Sequence, residues 1–142
     1  MIALGCDGAG FELMQAVKAH LNQRGLSYKN FGTDSDAASD YPVYAQEVAK
    51  SILSGECEKG IVICGTGIGI SIAANRFAGI RCALCHDVFS AKGTRFHNDA
   101  NMLAMGGRVI GKGLACEIVD AWLDTDFSHE ERHARRIGMI EI

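Results

Sequence analysis

Residues 60–75, GIVICGTGIGISIAAN, constrain the fold more than any other part of the chain. The apolar residues at the start of this segment form a run short enough for one buried strand, and those from Ile70 onward suit a helix. The glycines between them let the backbone adopt positive φ and approach a ligand closely. The segment therefore predicts a strand, a glycine-rich turn and a helix whose first amides could bind an anion.

The turn itself, residues 64–69, matches neither of the two common nucleotide-binding signatures. No Gly-Lys-Ser/Thr ending follows the glycines, and a spacing of two residues between them does not fit G-x-G-x-x-G. Tight packing of a parallel sheet against its helices is an alternative reason for such a turn. Cys64, a potential nucleophile or base, stands at its start, which suggests chemistry on a charged metabolite.

Five short apolar runs alternate with amphipathic helical patterns along the chain. One helical pattern ends near Gly25, and a second begins near Pro42 and ends near Gly55. Alternating strands and helices predict an α/β fold, a three-layer αβα sandwich around a five-stranded parallel Rossmann-like sheet. At 142 residues we expect a single domain, residues 1–142. The expected strands are residues 2–6, 26–31, 60–64, 80–85 and 101–105.

Charge and hydropathy exclude two classes of partner. The formal net charge is −3 and no basic run occurs, so we expect no nucleic-acid partner. No apolar stretch is long enough for a membrane span, and Met1 leads directly into a strand-like run without the regions of a signal peptide. We therefore expect a cytoplasmic protein that does not contact a membrane.

The six cysteines are expected to be mainly structural. A reducing cytosol argues against disulfides, and thiols in apolar runs pack as small hydrophobic groups. Cys82 and Cys85 form a C-x-x-C pair, but strand alternation would direct them to opposite faces of the sheet. No second pair with zinc spacing accompanies them, so we expect no metal site.

Ligands of such sheets bind at the carboxyl ends of the strands, where successive loops converge. Polar residues and glycines occupy these predicted loops, after the first and third strands, before the second helix, ahead of the last strand and in the tail. The candidates outside residues 64–69 are Asp7, Gly8, Tyr41, Arg95, His97, Asn98, Asp99, Arg132, His133, Arg135 and Arg136.

Six segments, spread over nearly the whole chain, carry a resemblance to a known family. They are GCDGAGFEL, DYPVYA, GIVICGTGIGISIAAN, GIRCALCHD, RFHNDANMLAMGGRVIG and RHARRI. In these segments the chain resembles the type B ribose-5-phosphate isomerases, within the wider group that includes galactose-6-phosphate isomerase subunits. The resemblance implies a metal-independent aldose-ketose isomerase without a cofactor, which interconverts ribose 5-phosphate and ribulose 5-phosphate through an enediolate.

The resemblance also implies catalytic roles. Cys64 would act as the base in its thiolate form, stabilised by the helix start, and Thr66 would assist by hydrogen bonding to it or to the substrate. His97 would be the acid that opens the sugar ring, or alternatively a histidine that only caps the following segment. The enediolate could be stabilised by hydrogen bonds from the backbone amides of Gly65, Gly67 and Gly69.

Further residues would bind the substrate. Arg132 and Arg136 lie four residues apart, so on a helix they share one face and could bind the phosphate. A solvated surface helix is the alternative. Asn98 and Asp99 would orient His97 or the sugar hydroxyls, and Arg108 would join the phosphate or a subunit contact. The other expected substrate-binding residues are Asp7, Gly8, Tyr41 and Ile68.

Two departures from the family pattern bear on the substrate. Gly8 stands where the family usually has a histidine, which suggests extra room beside the ligand. Before the first tail arginine the family usually has Gly-Gly, whereas this chain reads Ser128, His129, Glu130 and Glu131, a segment one residue longer. Allose 6-phosphate, galactose 6-phosphate or a tetrose phosphate are therefore alternative substrates, and a non-catalytic sugar-phosphate-binding protein is a further alternative.

The resemblance finally implies a homodimer or a dimer of dimers. Each active site would then be built from loops of two subunits. In that arrangement His97 and Cys64 of one site come from different chains.

Overall fold

The computed structural model describes residues 1–142 and contains one parallel sheet of five strands, in the order β2-β1-β3-β5-β4. The strands are β1 (Ile2–Cys6), β2 (Tyr28–Asn30), β3 (Lys59–Cys64), β4 (Cys82–Leu84) and β5 (Met102–Gly106). The helices are α1 (Phe11–Gln23), α2 (Tyr41–Leu53), α3 (Ile68–Ala74), α4 (Val88–Asn98), α5 (Lys112–Leu123) and α6 (Glu131–Ile140). The predicted α/β fold class and parallel sheet are confirmed.

Two hydrophobic clusters cover the two faces of the sheet. Leu4 and Ile61 pack on one face with residues of α1 and α5, including Trp122. Ala3 and Val62, the next residues on the same strands, pack on the other face with residues of α2 and α3. This alternation is what a strand buried on both sides requires, and it confirms the three-layer arrangement.

The edge strands are shorter than predicted. Residues 26–31 and 80–85 were expected to be extended, but pairing covers only Tyr28–Asn30 and Cys82–Leu84. Both strands lie at an edge of the sheet with a single neighbour, and that neighbour, β1 or β5, continues two residues beyond the paired stretch. Cys82 and Cys85 lie in different hydrophobic clusters, which confirms that they face opposite sides of the sheet.

Glycines end two helices as predicted. Gly25 and Gly55 follow α1 and α2 with φ of +70° and +83°, a backbone conformation that favours glycine. Helix α4 was not predicted as a helix. Its apolar pattern is weak, because it buries only Ala91 and Arg95. No helix in the structure has the length and apolar character needed to span a membrane.

The sheet order creates a crevice between β1 and β3. From β1 the chain crosses to β2 on one side, and β3 pairs with β1 on the other side. Loops that leave the carboxyl ends of β1 and β3 therefore turn in opposite directions, which opens a space between them. Asp7 and Cys64 lie at this edge.

Candidate active site

Cys64 is the last residue of β3 and is only 4% exposed. Its Sγ accepts a hydrogen bond from the amide of Gly67, with 3.2 Å between nitrogen and sulfur. Gly67 has φ of +78°, and a Cβ there would lie 2.8 Å from the carbonyl carbon of Met105. Only glycine suits both the conformation and the space, so the turn holds an amide donor against the sulfur.

Thr66 lies between these two residues and is exposed. Its Oγ1 accepts a hydrogen bond from the amide of Ile68 at 3.2 Å, at the start of α3. The hydroxyl keeps its own proton available to donate to a ligand above the turn.

Arg108 lies beside the Cys64 turn. Its amide donates to the carbonyl of Gly65 at 3.0 Å, and its Nη1 lies 3.6 Å from the position that a Cβ of Gly65 would occupy. No carboxylate pairs with its guanidinium, whereas most other arginines of the chain have an acidic partner. Arg108 therefore presents an uncompensated positive charge next to the turn.

Tyr41 and Asp7 complete this edge of the sheet. The ring of Tyr41 covers Gly69, where a Cβ would lie 2.8 Å from the phenol oxygen. The carboxylate of Asp7 is buried and accepts the amide of Gly10 at 3.0 Å. Asp7 thus caps the short helical turn Gly8–Gly10 with one oxygen.

Position 8 has no space for a side chain. A Cβ at this position would lie 2.6 Å from the carbonyl carbon of Ala37 and 2.7 Å from the carbonyl oxygen of Asp36. The amide of Gly8 also donates to Oγ of Ser39 at 3.2 Å. The segment between β2 and α2 therefore occupies the position of a side chain at residue 8. An open cavity lined by Gly8, Asp36 and Arg108 lies beside it, so the expected extra room for a ligand stays a prediction.

His97 and Asn98 lie elsewhere, in the last turn of α4 rather than in a loop. Helices between parallel strands run back toward the amino ends of the strands, so α4 ends at the opposite edge of the sheet from Cys64. The carbonyl of Asn101 accepts the amide of Gly60, at the start of β3. At ~3.3 Å per residue the length of β3 separates the two edges by roughly 16 Å. His97 and Asn98 therefore do not lie at the carboxyl ends of the strands, where the predicted loops placed them, and a site that joins them to Cys64 across two subunits stays a prediction.

His97 belongs to a second cluster, formed by α4 and α6. The rings of His97 and His133 lie 4.8 Å apart between centroids, and Phe96 packs edge-on against both. His133 is buried and hydrogen-bonds Oγ of Ser128 at 2.6 Å. Burial lowers the pKa of His133; Glu130 opposes this change, and Arg132, His97 and Arg136 reinforce it.

The expected phosphate-binding arginines lie on α6, next to His97. Arg136 has no acidic partner, while Nε of Arg132 lies 3.5 Å from Oε1 of Glu130. Glu131 pairs instead with Arg135, at 3.5 Å. The two acidic residues that depart from the family pattern thus have different positions, and only Glu130 competes for one of the two arginines.

Asp99 does not orient His97. It ends α4 with φ of +47°, and its carboxylate accepts from Nη1 of Arg95 at 2.8 Å. The buried Arg95 also donates to the carbonyls of Thr125 and Ala100, so this pair ties α4 to the rest of the fold. The side chain of Asn98 remains exposed and unbonded.

Four cysteines away from the turn have environments that disfavour the thiolate. Burial raises the pKa of Cys6 and Cys85 to about 11, and it also raises the pKa of Cys82 and Cys116. These environments fit structural thiols. A backbone hydrogen bond from Thr33 lowers the pKa of Cys6, but the effect of burial outweighs it.

His86 is a residue of this region that the sequence did not single out. Its Nε2 accepts a hydrogen bond from the amide of Gly106 at 2.9 Å, at the carboxyl end of β5. The segment GIRCALCHD includes it, but nothing in that pattern distinguishes a histidine that binds backbone from one that lies in solvent.

A sequence model of the ribose/galactose isomerase family matches residues 2–140, almost the entire chain. The chain belongs to the ribose/galactose isomerase family. Among its relatives, ribose-5-phosphate isomerase B of Escherichia coli (strain K12) is 50% identical over 139 residues, which cover 98% of this chain and 93% of the relative. The D-erythrulose-4-phosphate isomerase of Pectobacterium atrosepticum is 43% identical over 127 residues, or 89% of this chain and 84% of that protein.

Solved structures of the ribose/galactose isomerase family share the fold in detail. A ribose 5-phosphate isomerase of Thermotoga maritima superposes with a TM-score of 0.96 at 49% identity, covering 99% of this chain and 96% of that one. The fold of this chain is therefore the fold of these family members.

Proposed function

We propose that this family member is a metal-independent aldose-ketose isomerase that interconverts ribose 5-phosphate and ribulose 5-phosphate. The observation that carries the proposal is the sulfur of Cys64, which accepts the Gly67 amide at the crevice of a chain 50% identical to a ribose-5-phosphate isomerase B. A hydrogen bond from a backbone amide is the kind of contact that stabilises negative charge on sulfur, which the proposed base needs.

The reaction needs a ring opening and then proton transfers at C2, at the two oxygens and at C1. In ring opening His97 protonates the ring oxygen as the C1–O bond of the furanose breaks, and the C1 hydroxyl becomes the aldehyde by releasing a proton that replaces the one from His97. The thiolate of Cys64 then removes the proton from C2, and the electron pair moves onto the carbonyl oxygen O1 to give the enediolate. The hydroxyl proton of O2 passes to O1, the thiol returns its proton to C1, and O2 becomes the ketone oxygen. Thr66 donates to the developing charge, while the Gly67 amide stays on Sγ of Cys64.

The phosphate of the substrate is bound by arginine. The candidates are Arg108 beside the Cys64 turn and Arg132 and Arg136 on α6, and all three are exposed. One guanidinium group can donate two hydrogen bonds to two oxygens of the same phosphate. Ion pairing of Arg132 with Glu130 at 3.5 Å is loose enough for a phosphate dianion to displace it.

The complete site requires two subunits. Cys64 and His97 lie at opposite edges of one sheet, so a second copy must bring its α4 and α6 to the Cys64 turn of the first. An apolar surface beside the turn suits such a contact, since Ile68 and Ile72 of α3 are 52% and 61% exposed. We propose a homodimer or a dimer of dimers with shared active sites.

The choice of sugar rests on the relatives. Ribose 5-phosphate is the leading substrate, because a relative 50% identical over nearly the whole chain is named a ribose-5-phosphate isomerase B. The hexose phosphates allose 6-phosphate and galactose 6-phosphate are alternatives, since an open cavity lined by Gly8, Asp36 and Arg108 lies beside the Cys64 turn. A tetrose phosphate is a further candidate, because one relative is named for a four-carbon substrate.

A cytoplasmic location is part of this proposal. A sugar phosphate carries a dianion that does not cross a bilayer unaided, so an enzyme that uses it works where the sugar is phosphorylated.

Turnover of a panel of sugar phosphates tests the function. Ribose 5-phosphate, a tetrose 4-phosphate and the two hexose 6-phosphates are compared in the presence of EDTA, with Cys64→Ala as the control. Cys64-dependent conversion with the highest kcat/KM for ribose 5-phosphate supports the proposal. A higher kcat/KM for the tetrose 4-phosphate would make that sugar the substrate in place of ribose 5-phosphate. No turnover of any sugar phosphate would favour a binding protein.

A further inference from the structure

His86 extends the sheet with its side chain. Pairing between β4 and β5 ends at Leu84 and Ala104, and one more amide, that of Cys85, bonds to the carbonyl of Ala104 at 3.1 Å. Beyond that point the acceptor for the amide of Gly106 is Nε2 of His86, at 2.9 Å. Because an amide only donates, Nε2 carries no proton, and the neutral ring has its proton on Nδ1.

Gly106 is the last residue of β5, and the turn that it begins, residues 106–108, contacts the Cys64 turn. The amide of the next residue, Gly107, donates to the carbonyl of Cys64 at 2.8 Å. A Cβ at Gly106 would lie 2.7 Å from the carbonyl carbon of Thr66, so the two backbones are in direct contact. The position of Gly106 therefore determines where Cys64 and Thr66 lie.

The same turn places Arg108. Its amide donates to the carbonyl of Gly65, and its guanidinium lies over that glycine. A displacement of the turn would move the cation and the thiol together, because both are bonded to the same short segment.

We propose that neutral His86 is a positioning residue for the isomerisation, which fixes the turn 106–108 and through it Cys64, Thr66 and Arg108. The kinetic part of this inference rests on the proposed function, whereas the hydrogen bond itself does not. Without the acceptor the buried amide of Gly106 would be unpaired, and the turn would shift to find another partner.

Three variants separate the acceptor from the bulk of the ring. His86→Gln places an amide oxygen at about the reach of Nε2, His86→Asn places it only as far as Nδ1, and His86→Phe keeps the ring without an acceptor. Amide exchange of Gly106 and the ¹⁵N shifts of the His86 ring are measured by NMR, and kcat and KM are measured with ribose 5-phosphate.

In the wild type we expect a protected Gly106 amide and an unprotonated Nε2. Since misplacement of catalytic groups by ~1 Å costs up to about 10²-fold, we expect kcat to fall by roughly tenfold to a hundredfold in His86→Phe and His86→Asn. Because Arg108 moves with the turn, the KM should rise too, but by a smaller factor than kcat falls, and His86→Gln should retain most of both the activity and the protection of Gly106.

Several results would overturn the inference. A proton on Nε2 in the wild type, an unchanged Gly106 exchange rate in His86→Phe, or a loss in His86→Gln as large as in His86→Phe would each do so. If the wild type converts no sugar phosphate, the proposed function fails, and the exchange and ¹⁵N measurements still decide whether His86 holds the turn.

Discussion

The imidazole rings of His97 and His133 lie 4.8 Å apart at an interplanar angle of 61°, across the contact between α4 and α6. This contact keeps the exposed His97 on the same side as Arg132 and Arg136. The three residues form one half of the proposed site, and the Cys64 turn with Arg108 forms the other. One chain therefore presents two incomplete halves at opposite edges of its sheet.

Removing the thiol should abolish proton abstraction and spare binding. For Cys64→Ala we expect kcat to fall by roughly 10²- to 10⁴-fold, since that is the usual contribution of a general base. Affinity for ribose 5-phosphate, measured by calorimetry, should change by less than about threefold. Cys116→Ala, a thiol on α5, is the matched control and should keep full activity. A Cys64→Ala enzyme with more than a tenth of wild-type kcat would contradict the assigned base.

Glu130 should weaken phosphate binding, and Glu131 should not. Glu130→Gln releases Arg132 from its ion pair, so we expect the KM for ribose 5-phosphate to fall by about two- to fivefold, the worth of one exposed pair. Glu131→Gln removes the same charge next to Arg135 and should leave the KM nearly unchanged. Equal decreases in both variants would point to a long-range charge effect instead of competition at Arg132.

Position 8 should tolerate only glycine. In Gly8→Ala the new methyl group would collide with the backbone at residues 36 and 37, so we expect the free energy of unfolding to fall by about 1–3 kcal/mol. Gly113→Ala is the control, because nothing lies within 4 Å of a Cβ there and the residue is in α5. That control should be neutral or gain up to about 1 kcal/mol. Urea unfolding at one fixed protein concentration measures both variants, and an unchanged stability in Gly8→Ala would show that the segment moves away freely.

The sequence was sufficient to predict the sheet and the helix ends, because those features depend on local patterns. Gly25 and Gly55 ended helices where predicted, and the apolar runs that became β1 and β3 had the right length. The residue types of the site were also visible in the motifs.

The arrangement of the site was not predictable to the same degree. The sequence pattern around Gly8 suggested an empty space in place of a side chain. Nothing in that local pattern shows that a segment 28 or 29 residues further along the chain packs against this glycine. Helix α4 buries too few apolar residues to give a helical pattern, so His97 was assigned to a loop at the wrong edge of the sheet. Asp99 pairs with Arg95, four residues earlier, a local contact that becomes predictable only once α4 is recognised as a helix.

Stability should fall as the pH decreases through the range in which His133 titrates. Burial holds the pKa of this histidine below its ordinary value of 6.5, so the unfolded chain binds the proton more readily than the folded chain. The free energy of unfolding should therefore decrease as the pH falls below about 6.5 and stop decreasing from this cause once the pH is below the folded pKa. Urea unfolding between pH 7.5 and 5 measures this loss.

His133→Asn isolates the contribution of this histidine. The amide side chain can still bond to Ser128 but does not titrate in this range. The variant should lose less stability than the wild type between pH 7.5 and 5. An identical pH dependence in both proteins would show that other groups cause the loss.

The central claim, that each site takes Cys64 from one subunit and His97 from another, is tested most directly by complementation. Cys64→Ala and His97→Ala are each expected to be nearly inactive alone. When the two variants are co-expressed and assemble at random, half of the dimers are mixed, and each mixed dimer contains one intact site. We therefore expect about a quarter of wild-type activity with ribose 5-phosphate. No gain of activity in mixed dimers isolated by two different affinity tags would contradict a shared site.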